Sequence, residues 1–181
     1  MSRDLLNLIE EQVVVEFSGK INLLLRESRQ LLGSIILNEG EIFRVDYKGN
    51  SGMKALFSLY LDDLKDNYLS IVVEPEIIEN VNRNLHYPFK TIMMKLSEFM
   101  HEYEKNKSLR PPDGIKLLAV ADFLASGGGI NEKEFQVLAT ISDYNKIEEI
   151  YRYCPLMEYE ITQSLITLRQ KGALKVIKGQ A

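Results

Sequence analysis

The chain has 181 residues, 45% of them apolar and 27% charged, and carries a net charge of −4. That length suffices for one domain or two small ones with buried cores, and the composition is that of an ordinary globular protein. Net negative charge gives no global attraction for nucleic acid or anionic lipid, so electrostatics points to a protein partner or a small ligand.

Neither a membrane span nor a signal peptide is expected. No run of about 18 apolar residues occurs, and the first ten residues already hold Arg3, Asp4 and Glu10. This reading places the protein in the cytoplasm. Residues 2–10 predict a short helix with Leu5, Leu6 and Ile9 at helical spacing, packed on the domain or on a second copy. Val13 to Phe17 is β-branched and predicts a strand. Ser18 would then cap a helix holding Ile21, Leu24 and Leu25, with Arg26, Glu27 and Arg29 solvated.

The stretch from Gly33 to Tyr60 organises the N-terminal half. Two alternating apolar runs flank Asn38-Glu39-Gly40, where Gly40 can take the positive φ of a short bulged turn. Ile35 and Leu37 share one face of the first arm, and Phe43, Val45 and Tyr47 share one face of the second. After Gly49 to Gly52 the period lengthens to that of a helix, with Met53, Leu56, Phe57, Tyr60, Leu61 and Leu64 as its apolar stripe. Tyr68 to Glu74 predicts a further strand ended by Pro75. A long helix from Pro88 to about Lys107 follows, with Phe89, Ile92, Met93, Leu96, Met100 and Tyr103 on one face and Phe99 widening it.

The succession Phe17-Ser18-Gly19-Lys20-Ile21, Gly-x-Ile-x-Leu from Gly33, Asn38-Glu39-Gly40-Glu41-Ile42 and Gly52-x-x-Ala55-Leu56 resembles the bacterial domain at the N-terminus of PatA-type response regulators. It covers roughly residues 11–105, and its motifs are turns and packing positions. The resemblance implies a bacterial cytoplasmic signalling or scaffolding module, found alone or beside receiver domains and in some lineages tied to motility and cell polarity. A response regulator or a small Ras-like GTPase is the partner class it implies.

Ser108 to Gly114, with its paired prolines, predicts a linker and separates residues 1–110 from residues 113–181. Ile115 to Ala125 predicts a buried helix stopped by Ser126 and three glycines, a turn with no Gly-Lys-Ser/Thr to make it a phosphate loop. Asn131 and Glu134 form a capping box for the helix containing Phe135, Leu138 and Ile141. Helices at residues 146–153 and 157–171, Gly172 at C′ and a strand at residues 174–178 complete a winged-helix-like pattern. The expected fold class is therefore α+β: a small antiparallel sheet with helices, joined to a small helical winged-helix-like domain.

DNA binding is the competing function, and charge argues against it. Glu158 and Glu160 occupy the first turn of the candidate reading helix, and residues 113–181 hold eight Lys or Arg against nine Asp or Glu. A DNA reader would depend on Arg169, Lys171, Lys175 and Lys178. Catalysis finds no motif: His86 and His101 are far apart, and Cys154 lies among apolar residues as a buried thiol would. Asp62-Asp63 reads as a solvated helix end rather than a cation site. Arg26, Arg29 and Arg44 do not by themselves make a cyclic-dinucleotide site. The expectation is a non-catalytic adaptor with no cofactor or metal, binding a protein through Phe99, Met100 and Tyr103 or the N-terminal helix residues Leu5 and Ile9. An exposed apolar stripe on a terminal helix would favour a homodimer.

Overall fold

The computed structural model describes residues 4–64, 68–125 and 127–177. Residues 2 and 3 of the expected first helix, Ser126 of the glycine turn, and Lys178 lie outside the described residues. The fold is α+β, and the chain divides into two compact units, Met1–Phe99 and Met100–Ala181.

In the first unit, α1 (Asp4–Val14) precedes β1 (Gly19–Leu25), β2 (Leu31–Asn38), β3 (Glu41–Tyr47) and β4 (Asn50–Ser51). Then come α2 (Gly52–Asp63), β5 (Leu69–Pro75) and the start of α3 (Phe89–Asn106). All strand pairs are antiparallel, in the order β4-β3-β2-β1-β5.

Two sequence expectations fail near the start. Val13 and Val14 belong to α1 rather than to a strand, because the helix runs on until Glu16 takes a positive φ of 52°. Local continuation of the helix outweighs β propensity here. Residues 19–25 form β1 instead of a helix, with Ile21 and Leu23 buried in alternation. An apolar run this short fits either period, and pairing with β2 on one side and β5 on the other decides it. Ser18 caps no helix; its Oγ accepts a hydrogen bond from the Glu39 N–H at 2.8 Å, holding the hairpin tip.

The β2–β3 hairpin forms as expected, but its turn is tighter. Asn38 pairs with Glu41, and Glu39 and Gly40 both take positive φ, 50° and 75°, as a two-residue turn with primed geometry requires. The bulge lies further along: Ile36 pairs with Arg44 and Leu37 with Ile42, leaving Phe43 as the extra residue. That shift of phase puts Ile42 into the core with Val45 and Tyr47, and Phe43 stays only partly buried. Within α2 the buried face is Ala55, Leu56, Phe57 and Leu59, so Met53, Tyr60 and Leu61 lie at its margin. Asp62 and Asp63 are buried too, contrary to the solvated pair expected from sequence.

The second unit takes in the end of α3, a 3₁₀ turn (Lys107–Leu109), β6 (Lys116–Ala119) and α4 (Ala121–Ala125). It continues through α5 (Glu132–Asp143), α6 (Ile147–Tyr153), α7 (Glu158–Gln170) and β7 (Leu174–Ile177). The buried helix expected from residue 115 is absent: residues 116–119 pair with β7, and α4 is a single turn with no buried residue. Only Leu117 of β6 is buried, and Leu118 points out, the alternation of a strand whose partner is distant in sequence. The core gathers Leu117, Val137, Leu138, Ile141, Ile147, Ile150, Ile161, Leu165 and Leu168 around the buried thiol of Cys154.

Candidate functional site

Three polar or aromatic constellations stand out. In the first unit, the Asp62 carboxylate at the end of α2 accepts hydrogen bonds from Tyr47 Oη at 2.9 Å and Lys48 Nζ at 2.7 Å. The tight β3–β4 turn at Lys48-Gly49 aims the ammonium back along the sheet, where it lies 4.6 Å from the centre of the Tyr68 ring. Burial, and then the charge of Asp62, push the Tyr47 phenol far above its ordinary value. Burial works against the Lys48 ammonium, but hydrogen bonds to Asp62 and Tyr68 outweigh it and raise its pKa. Tyr47 and Lys48 are thereby held in their resting protonation states, which suits a fastener for α2.

The second constellation fastens the other unit. Asn131 and Glu134 make the expected capping box, with Asn131 Oδ1 accepting from the Glu134 N–H and Glu134 Oε2 accepting from the Asn131 N–H. Glu134, 1% exposed, also takes both its oxygens to Lys171 Nζ at 2.7 and 2.8 Å. Burial opposes its charge, yet hydrogen bonds from Lys171, the Asn131 N–H and Thr167 prevail and hold its carboxyl below the usual range. Elsewhere in the same unit, Tyr151 Oη and Thr162 Oγ1 share a buried hydrogen bond of 2.7 Å. Burial pushes the Tyr151 phenol up to about 12, against the opposing influence of Thr162 and Arg110.

Because Glu134 faces inward, its neighbour Phe135 faces out, 61% exposed. Phe135 stands at helical spacing from Leu138, but the capping box and its lysine set the helix so that Glu134, Val137, Leu138 and Ile141 are the inner face. Phe135 meets Tyr144 and Tyr153 along an open groove of about 260 Å³, completed by Gln136, Thr140, Asp143 and Pro155. Tyr144 and Tyr153 stack with centroids 4.3 Å apart and planes 20° from parallel, and both remain exposed, at 36% and 52%. A cluster of large apolar side chains left outside a core is the signature of a contact surface.

Of the residues singled out from sequence for partner binding, two are fully buried. Leu5 and Ile9 are 0% exposed and have no surface to present, so the N-terminal helix offers its partner-facing residues to the core instead. Phe99 packs edge-on against Phe57 at 5.4 Å in the first unit. Met100 and Tyr103 are half-buried in the second, where Tyr103 lines a cleft of about 80 Å³ with Asn106, Arg110, Glu158 and Tyr159. His86 and His101 are exposed. Among the described residues no group of three His, Cys, Asp or Glu is placed to hold a metal ion, and no helix is long and apolar enough to cross a membrane.

The DNA-facing residues fare no better as a set. On α7, Glu158 meets Arg110 at 3.4 Å and Glu160 meets Lys133 at 2.8 Å, so the first turn consumes cations rather than presenting them. Lys171 is spent on Glu134 and on the Gly129 carbonyl. Arg26 and Arg29 sit at the β5 end of the sheet and bond to Leu69 O and Ser70 Oγ, whereas Arg44, on β3, grips Asp46. The three arginines do not converge.

Among the described residues, fold and surface define an α+β protein of two units, with internally satisfied polar clusters and an exposed aromatic groove. Compared with protein-family models, curated proteins and solved structures, the chain finds no match.

Proposed function

We propose that this chain is a non-catalytic cytoplasmic adaptor that recognises another protein through the groove of Phe135, Tyr144 and Tyr153. The observation that carries the reading is their shared exposure on one side of α5 and at the end of α6. Tyrosine and phenylalanine bring large contact area with few rotatable bonds, and such side chains dominate binding energy at protein interfaces. The unit that displays them reads as winged-helix-like, with α5, α6, α7 and β7 in that order. Its β6 pairs antiparallel with β7 and bridges to Lys146, which supports that reading. The resemblance to PatA-type domains makes response regulators and small Ras-like GTPases the partner classes to try first.

The test is capture from lysate of the source organism, with and without nuclease treatment, using wild-type chain beside a Phe135→Ala, Tyr153→Ala double variant. The proposal expects a defined set of proteins retained by the wild type and weakened at least about tenfold by the variant. Unchanged amide exchange in the α6 and α7 cores would show the variant folded. Equal retention by both baits would overturn the groove as the site. Retained material that disappears with nuclease would replace the adaptor by a DNA reader. With a purified candidate, dependence on receiver phosphorylation or on bound nucleotide identifies the class.

A further inference from the structure

The five-stranded sheet ends on β5, and the hydrogen-bond register shows which of its backbone groups lack a strand partner. Arg26 donates its N–H to Tyr68 O at 3.1 Å, and Glu76 donates its N–H to Ser18 O at 3.3 Å. With the pairing of Lys20 to Glu74, Asn22 to Val72 and Leu24 to Ser70 in between, the even-numbered residues of β5 bond inward to β1. The N–H and C=O groups of Leu69, Ile71 and Val73 therefore point away from the sheet. Among the described residues, one of these groups is engaged: the Leu69 carbonyl accepts from the Arg26 guanidinium at 3.0 and 3.3 Å. Side chains tell the same story. Ile71 and Val73 lie on the core face opposite the fully buried Leu23 and Ile21, yet both are only half-buried, as they are at an uncovered rim.

An open edge of this kind is a template for another strand. Charge selects the occupant. At the Leu69 end stand Arg26 and Arg29, the latter donating to Ser70 Oγ at 2.7 Å. At the other end stands Glu74, which accepts from the neutral amide of Asn22, and beyond it Glu76, already paired with Lys20 at 2.7 Å. A strand laid antiparallel on this edge with the same sequence reverses the polarity, so each basic end meets an acidic end.

We infer that β5 is the homodimerisation edge of this protein, pairing antiparallel with β5 of a second copy about Ile71. Centring on Ile71 matches the hydrogen-bonding phase: Ile71 pairs with its own counterpart and Leu69 with Val73 of the second copy, all through outward-facing groups. On the solvent face Ser70 lies across from Val72. Arg29, held over Ser70, is then a diagonal neighbour of the second copy's Glu74, within reach of a long side chain. Two five-stranded sheets become one continuous sheet, and the exposed flanks of Ile71 and Val73 are covered by their symmetry mates.

Sedimentation of the full chain across micromolar concentrations, at low and high salt, tests this. The expected species is a dimer that weakens with salt, since the arginine and glutamate pairs lie at the rim. Arg29→Glu and Glu74→Arg should each weaken dimerisation about tenfold or more, and the double swap should restore it, because each copy again presents opposite ends. Ile71→Pro removes an N–H that faces outward, leaving the ladder to β1 intact, and should yield a folded monomer by circular dichroism. A chain monomeric at every concentration would overturn the inference and make the flanking charges guards against pairing. So would a dimer indifferent to Ile71→Pro, or single swaps whose losses the double swap does not recover.

Discussion

Asp62 in the first unit and Glu134 in the second do the same job at opposite ends of a helix, and the contrast shows what a buried carboxylate depends on. Glu134 lies in the first turn of α5, where unpaired N–H groups and the helix dipole favour negative charge, and it completes the capping box with Asn131. Asp62 lies in the last turn of α2, where the dipole opposes it and which holds no basic residue. Its charge relies on donors from the sheet, among them Tyr47 and Lys48. The first unit thus fastens a helix by tertiary contacts, and the second by a local motif with a lysine added.

The largest expected difference between the units comes from backbone packing. A Cβ on Gly33 would lie 2.1 Å from Asp46 O and 2.7 Å from Tyr47 Cα, so β2 and β3 would have to part. Gly33→Ala should cost about 3 kcal/mol or more and raise amide exchange throughout the first unit. Gly172→Ala, at φ 75° but with nothing within 4 Å, should cost only about 1 kcal/mol of local strain in the second.

Next come the lysines. Lys48→Met removes a donor from a carboxylate that the helix dipole disfavours and should destabilise the first unit by about 2–3 kcal/mol. Lys171→Met leaves Glu134 with its Asn131 N–H and its favourable helix end, and should cost about 1–2 kcal/mol. Region-resolved hydrogen exchange under denaturant reads both. A reversed order would show that depth of burial, greater for Glu134, outweighs helix position.

The smallest effect is a pH window. Glu134 has a folded pKa below its ordinary 4.5, so its contribution is present above that value and lost as pH falls through the folded one. Amide protection in α5 and α7 should decline in mild acid, and Glu134→Gln should flatten that decline. Lys48 has the opposite sign: its raised pKa gives stability present below its ordinary 10.5 and lost as pH rises beyond it.

Much of this was legible in the residues. The hairpin at Glu39-Gly40, the helices α3, α5, α6 and α7, the capping box, the C′ glycine and the buried thiol follow from local rules of turn chemistry and periodicity. The candidate site was not legible, because helical spacing groups Phe135 with Leu138 and does not say which side chain of the first turn faces the core. The capping box, joined by the pairing of Glu134 with a lysine 37 residues later, turns Glu134 inward and leaves Phe135 outside. The same reason covers the other surprises. By itself the sequence determined the α+β class and the turns, which depend on neighbours along the chain. Tertiary structure decided that residues 19–25 and 116–119 are strands, that Asp62 is buried, and that β5 is left at an open edge. Each of those depends on a partner far away in sequence, and short apolar runs or single carboxylates do not record which partner that is.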